Sequence, residues 1–135
     1  MLFFITGIML ALLLAIFAKI TRFDQDKSFY PTVLIVIASY YILFALIYGE
    51  GVITEVIVAS IFLLAALVRA LYIPIITGIG IIVHGGFDLI YPIIINNGGV
   101  PLWWPAFCAG VDIALGSWVI WLSLKERDNR GVSAT

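Results

Sequence analysis

Long apolar runs fill most of this chain and leave nothing over for a water-soluble core. They fall at roughly 2–18, 31–48, 56–68, 73–83 and 102–124. About 20 such residues are needed to span a hydrocarbon core of roughly 30 Å. The third run must start near Val52 and so takes in Glu55, and the fourth must run from Pro74 to about Ile95 and takes in His84 and Asp88. The spans predicted are 2–18, 31–48, 52–71, 74–95 and 102–124. They make one all-α domain covering residues 1–135, an integral membrane bundle of about five transmembrane helices. With 64% hydrophobic and 11% charged residues in a chain of 135, a soluble globular domain is excluded.

Lys and Arg accumulate in the cytoplasmic loops of membrane proteins, and all seven here agree on one orientation. Lys19, Arg22 and Lys27 lie in the first loop, Arg69 in the third, and Lys125, Arg127 and Arg130 in the tail. The second loop offers Gly49-Glu50-Gly51 and the fourth has no charge. The N-terminus is therefore expected outside and the C-terminus in the cytoplasm of a plasma (inner) membrane. Trp103 and Trp104 at one end of the fifth span, with Trp118 and Trp121 near the other, fit interfacial anchors. The first run has no basic segment before it and Lys19 after it, so it is read as a retained helix and not as a signal peptide.

Punctuation sits where the loops should be. Tyr30-Pro31 and Pro74 open helices, because a proline in the first turn loses no hydrogen bond that would otherwise form. Asn96-Asn97-Gly98-Gly99 is a turn signal. The stretch from Thr21 to Lys27 reads as a solvated, partly self-neutralised loop. No internal repeat is seen, which gives no support to an inverted-repeat transporter within one chain. No basic stripe for nucleic acid is present. The single cysteine, Cys108, excludes an intrachain disulfide and a Cys-rich metal site.

Four ionisable residues interrupt these runs: Glu55, His84, Asp88 and Asp112. A charge at the bilayer centre costs about 3 kcal/mol on insertion scales, so such side chains face a partner or a water-filled cavity and mark a site. His84 and Asp88 are spaced i, i+4 and share a helix face with Gly80 and Tyr91. At 1.5 Å per residue Asp88 lies roughly 10 Å and His84 roughly 16 Å below Ile95, Asp112 roughly 13 Å below Trp103, and Glu55 roughly 5 Å below Val52. All four are thus expected to line one cavity in the outer half, with the first two helices peripheral. Pro92 cannot bond the carbonyl of Asp88, and the freed acceptor must be satisfied by a neighbour, a side chain or water. Gly85 and Gly86 read as close-approach positions. Ala106, Gly110 and Ala114 form a small-residue stripe opposite Cys108 and Asp112.

A His–Asp pair with further carboxylates is a coupled proton-holding cluster suited to acid–base work. The same four residues offer one imidazole and up to three carboxylates to a divalent metal. The His-x-x-x-Asp spacing, however, differs from the Glu-x-x-His of di-iron bundles, and one histidine is few for zinc. No cofactor is required. Cys108, spaced i, i+4 from Asp112, is a conceivable nucleophile, although most free cysteines are small core residues.

From about Gly49 onward the chain resembles a family of short, uncharacterised bacterial multi-pass membrane proteins with a domain of unknown function. The resemblance rests on His84-Gly85-Gly86-Phe87-Asp88, then Val100-Pro101, Pro105 and Cys108-Ala109 with Asp112, and a Glu between Gly49 and Glu55. It implies a membrane fold and the same polar residues, and it implies no activity. Some relatives have extra histidines after the Asp, where this chain has Tyr91, a departure that weakens the inference of a metal from the resemblance.

The reading that follows is a small membrane enzyme using His84, Asp88, Asp112 and Glu55 on a lipophilic ligand, by proton transfer, hydrolysis or isomerisation. A proton-coupled small-solute transporter is the alternative, since Asp/Glu/His chains also relay protons; with five short helices it would need a homo-oligomer. A structural membrane subunit, its polar groups fixing helix register in the lipid bilayer, is the third.

Overall fold

The computed structural model describes residues 1–49, 52–67, 74–94 and 99–132. Glu50, Arg69, the Asn96–Gly98 part of the turn and the ends of the third and fourth spans at 68–71 and 95 lie outside the described residues. Five helices follow in order: α1 Leu2–Thr21, α2 Phe29–Tyr48, α3 Val52–Ala65, α4 Pro74–Ile94 and α5 Trp104–Val132. No strand occurs among the described residues. α1, α2, α4 and α5 are long and apolar enough to cross a membrane, and α3 is a shorter apolar helix. The protein is an all-α, multi-pass membrane bundle.

α5 is the hub, packing on α1 and more extensively on α4, while α2 packs mainly on α3 and also on α4. The first contact follows from a stripe of small residues. α1 buries Gly7, Ala11, Ala15 and Ala18, one per turn, and leaves Leu10, Leu13, Ile16 and Ile20 exposed. In lipid there is little hydrophobic drive between helices, so contact is won by close backbone approach at small residues. Gly7 lies on the Phe107 and Val111 backbone of α5, and Gly110 lies on the Phe4 and Ile8 backbone of α1. The expected split of α5 into a small face and a Cys108/Asp112 face is what the packing shows, with Gly110 against α1 and both Cys108 and Asp112 buried elsewhere.

The last helix carries on past the apolar span to Val132, because Lys125-Glu126-Arg127 are good helix formers. Two expectations need correction. The first loop is not wholly solvated: a 3₁₀ turn at Phe23–Gln25 folds Asp24 inward, leaving its side chain 8% exposed and 3.5 Å from Lys19. Asp26 stays outside, accepting hydrogen bonds from the Ser28 amide at 2.8 Å and the Ser28 hydroxyl at 2.6 Å. Nor is α2 peripheral. It buries Tyr30, Leu34, Ala38, Tyr41 and Ala45 along one face and contributes directly to the polar centre.

Candidate functional site

The polar centre is built where α4 crosses α5. Three glycines let the helices close, Gly78 against Gly116 by backbone contact and Gly85 beside the centre, where a Cβ would lie 2.6 Å from the Cβ of Asp112 and 3.3 Å from Cα of Ala109. With no side chain at 85 the helices close, and Asp112 comes within 2.7 Å of His84 Nδ1 through its Oδ2. Gly86, next along, has nothing within 4 Å of its own Cβ position, so packing does not explain it. Asp88, the i+4 neighbour, sits further off, its Oδ2 at 3.6 Å from His84 Nδ1. The pair legible as i, i+4 is therefore secondary, and the short contact is the interhelical one.

α2 supplies the third side. The Tyr41 hydroxyl donates to Asp88 Oδ1 at 2.6 Å, and its ring stacks on Tyr91 with centroids 5.3 Å apart. Tyr91 in turn donates a hydrogen bond to Glu55 Oε1 on α3. Glu55 thus belongs to a carboxylate–phenol pair, joined to the Asp88–Tyr41 pair through the two stacked rings. The His84 ring is held between Tyr41, at 5.2 Å, and Phe62, at 4.8 Å. The Cys108 thiol lies against the Asp88 carboxylate.

Every ionisable member is buried: Glu55 is 0%, Asp112 1%, His84 2% and Asp88 4% exposed. Buried polar atoms are normally hydrogen-bonded, and here three are left over. His84 Nε2, Asp88 Oδ2 and Asp112 Oδ1 have no hydrogen-bond partner among the described residues. One ligand atom from each of His84, Asp88 and Asp112 lies within 4.8 Å of the others, a spacing a metal ion could use. Each carboxylate has one oxygen engaged, Asp112 Oδ2 by the imidazole and Asp88 Oδ1 by Tyr41, and its other oxygen unpartnered. Glu55, the fourth residue expected, is outside this group. The arrangement is that of an oriented imidazole, not of a completed four-ligand shell.

A narrow cleft leads to the centre between α2, α4 and the start of α5. Tyr40, Tyr41, Phe44 and Trp104 form its aromatic walls, and His84, Asp88 and Tyr91 line it. Its volume, ≈ 10 Å³, is about that of one water. Asp112 and Glu55, expected in the lining, stand behind it. Trp104, read as an interfacial anchor, packs on Tyr40 and Phe44 at 5.0 and 5.1 Å. Trp118 also departs from a simple anchor, donating through Nε1 to the Tyr30 hydroxyl at 3.1 Å.

A second cavity, ≈ 100 Å³, opens at the opposite end of the bundle, the end that carries the basic residues. The first loop, α2, α4 and α5 enclose it, through Asp24, Lys27, Tyr30, Thr77, Val119 and Glu126 among others. No ionisable residue within a span announced it in the sequence.

Tyr41 is the member that sequence reasoning missed. A tyrosine deep in an apolar run must find a partner for its hydroxyl when buried, and that signal was present in Tyr40-Tyr41. Comparison of the chain with protein-family models, with curated proteins and with solved structures finds no match.

Proposed function

We propose that this is a membrane-embedded acid–base protein in which Asp112 orients His84 and the Nε2 atom of His84 exchanges protons with a group brought into the aromatic cleft. One observation carries this reading: Asp112 takes Nδ1 at 2.7 Å while Nε2 has no partner among the described residues. A carboxylate on Nδ1–H fixes the tautomer that leaves Nε2 with its lone pair, the arrangement of a general base. Asp88, anchored by Tyr41, is a second proton-holding group facing the same cleft. Because the cleft has room for about one water, only the reacting group of a substrate fits. The body of a lipophilic substrate would lie along the exposed apolar side chains of α2, such as Leu43, Leu46 and Ile47. Proton transfer, isomerisation or hydrolysis fit these groups. We further propose a plasma (inner) membrane location with the N-terminus outside, on the segregation of Lys and Arg. A reporter fused after Thr135 should then read out as cytoplasmic.

His84 is the single histidine of the chain, so the test is direct. In bilayer nanodiscs, protein labelled with 15N-histidine should show the neutral Nδ1–H form, and Asp112→Asn should convert it to a mixture of tautomers. A lipophilic acylating reagent should modify Nε2 in the wild type and do so more slowly in Asp112→Asn. A histidine protonated on both nitrogens, or inert to the reagent in both proteins, would mean that the pair is a helix clamp.

A further inference from the structure

The polar cavity at the basic end and the acid–base centre are aligned along the same three helices. On α2, Tyr30 lines the cavity, Leu34 follows four residues later, and Tyr41 of the centre follows seven after that. On α4 the succession is Thr77, Ile81, His84; on α5, read backwards, it is Val119, Leu115, Asp112. Each helix thus places a cavity-lining residue, then an aliphatic residue, then a member of the centre, on one face. Leu34, Ile81 and Leu115 are 1%, 0% and 0% exposed and belong to one packed cluster. They form a septum about one helical turn thick, and the whole distance along α4 from Thr77 to His84 is roughly 10 Å.

We infer that this septum is a proton gate. The acid–base centre is reached from the basic end through the ≈ 100 Å³ cavity as well as from the aromatic cleft, and the protein passes protons across the bilayer when the Leu34–Ile81–Leu115 layer hydrates. The inference rests on His84 being the proton-exchanging group proposed above. Narrow aliphatic layers close a pathway by excluding water, and Asp/Glu/His chains on both sides of such a layer are what a proton relay needs. The cavity supplies Asp24 and Glu126 at its mouth and Tyr30 and Thr77 at its floor. The far side supplies His84, Asp112 and Asp88, then the water-sized cleft. A proton crossing the septum on a transient water chain is taken up at the imidazole and released to the cleft, with no bond other than those to the proton changed.

The experiment uses the full chain in vesicles of phosphatidylcholine and phosphatidylglycerol with a pH-sensitive dye inside and a potassium diffusion potential as driving force. Ile81→Ser wets the septum and should raise proton flux by about tenfold or more over wild type, as expected when a dewetted constriction hydrates. His84→Gln added to Ile81→Ser should return the flux to the wild-type baseline. Leu115→Ser carries the same prediction should Ile81→Ser not fold. A folded septum variant no faster than wild type overturns the inference, as does a leak indifferent to His84→Gln. Loss of a trapped anionic dye alongside the protons would show a general defect and also overturn it. The 15N spectrum separates the two readings. An intact Nδ1–H tautomer with no leak removes only the gate, whereas a disrupted tautomer in the wild type removes both.

Discussion

α5 makes two close crossings by the same device and uses them for different ends. Against α1, Gly7 and Gly110 bring backbone onto backbone. Against α4, Gly85 brings in an aspartate, and the space it leaves is where Asp112 reaches His84. A missing side chain is thus a packing device in one place and the precondition of a His–Asp hydrogen bond in the other. Small residues at a membrane interface do not by themselves tell the two apart. The neighbour on the opposing helix does.

The comparison breaks most visibly at the polar crossing. Asp112→Leu leaves His84 buried without its partner and should cost about 3 to 5 kcal/mol, the usual penalty for halving a buried pair. Thermal unfolding in detergent measures it. The His84→Leu/Asp112→Leu double variant should regain most of the loss if the pair serves only to clamp the helices. Asp88→Asn and His84→Gln, which keep shape and hydrogen bonding, should stay folded and lose proton exchange if the centre acts in chemistry. Unstable conservative variants rescued by the apolar double would leave helix register as the role of the site.

The apolar crossing should respond by packing alone. Gly110→Leu drives a side chain into the Phe4 backbone of α1 and should cost toward the upper end of the about 1 to 3 kcal/mol typical of overpacking. The 15N signal of His84 should not change. A changed tautomer in that variant would show that the two crossings are coupled through α5. Tyr41→Phe is milder: it removes one interhelical hydrogen bond, worth about 0.6 to 1.7 kcal/mol in a membrane interior. Its Asp88 partner should become more reactive toward a carbodiimide.

The smallest effect is expected outside the membrane. The amide and hydroxyl of Ser28 hold the Asp26 carboxyl below the usual aspartate range. A carboxyl lowered in the folded state stabilises its turn above its unfolded value and loses that contribution as pH falls through the folded one. Because Asp26 is fully exposed, the consequence is local. The Ser28 amide resonance should follow this titration in acid and lose its pH dependence in Asp26→Asn. An unchanged titration in that variant would assign the signal to another group.

The architecture was readable because hydropathy is additive along a span, and the four ionisable residues stood out because such side chains are rare there. What could not be read was pairing across helices. The i, i+4 spacing promoted Asp88 as the partner of His84, but the close α4–α5 crossing, made by Gly78, Gly85 and Gly116, made it Asp112. Tyr41 was passed over because tyrosine is common near interfaces and carries no charge to flag it, so α2 was assigned to the periphery.

The Tyr91–Glu55 hydrogen bond has a consequence for biogenesis. α3 is synthesised before α4, so the hydrogen bond between Glu55 and Tyr91 can form only once Tyr91 has been made. α2 is in the same position, since the acceptor of Tyr41 is Asp88 on that same later helix. The contacts that tie α2 and α3 to the polar centre are therefore completed only when α4 has been made.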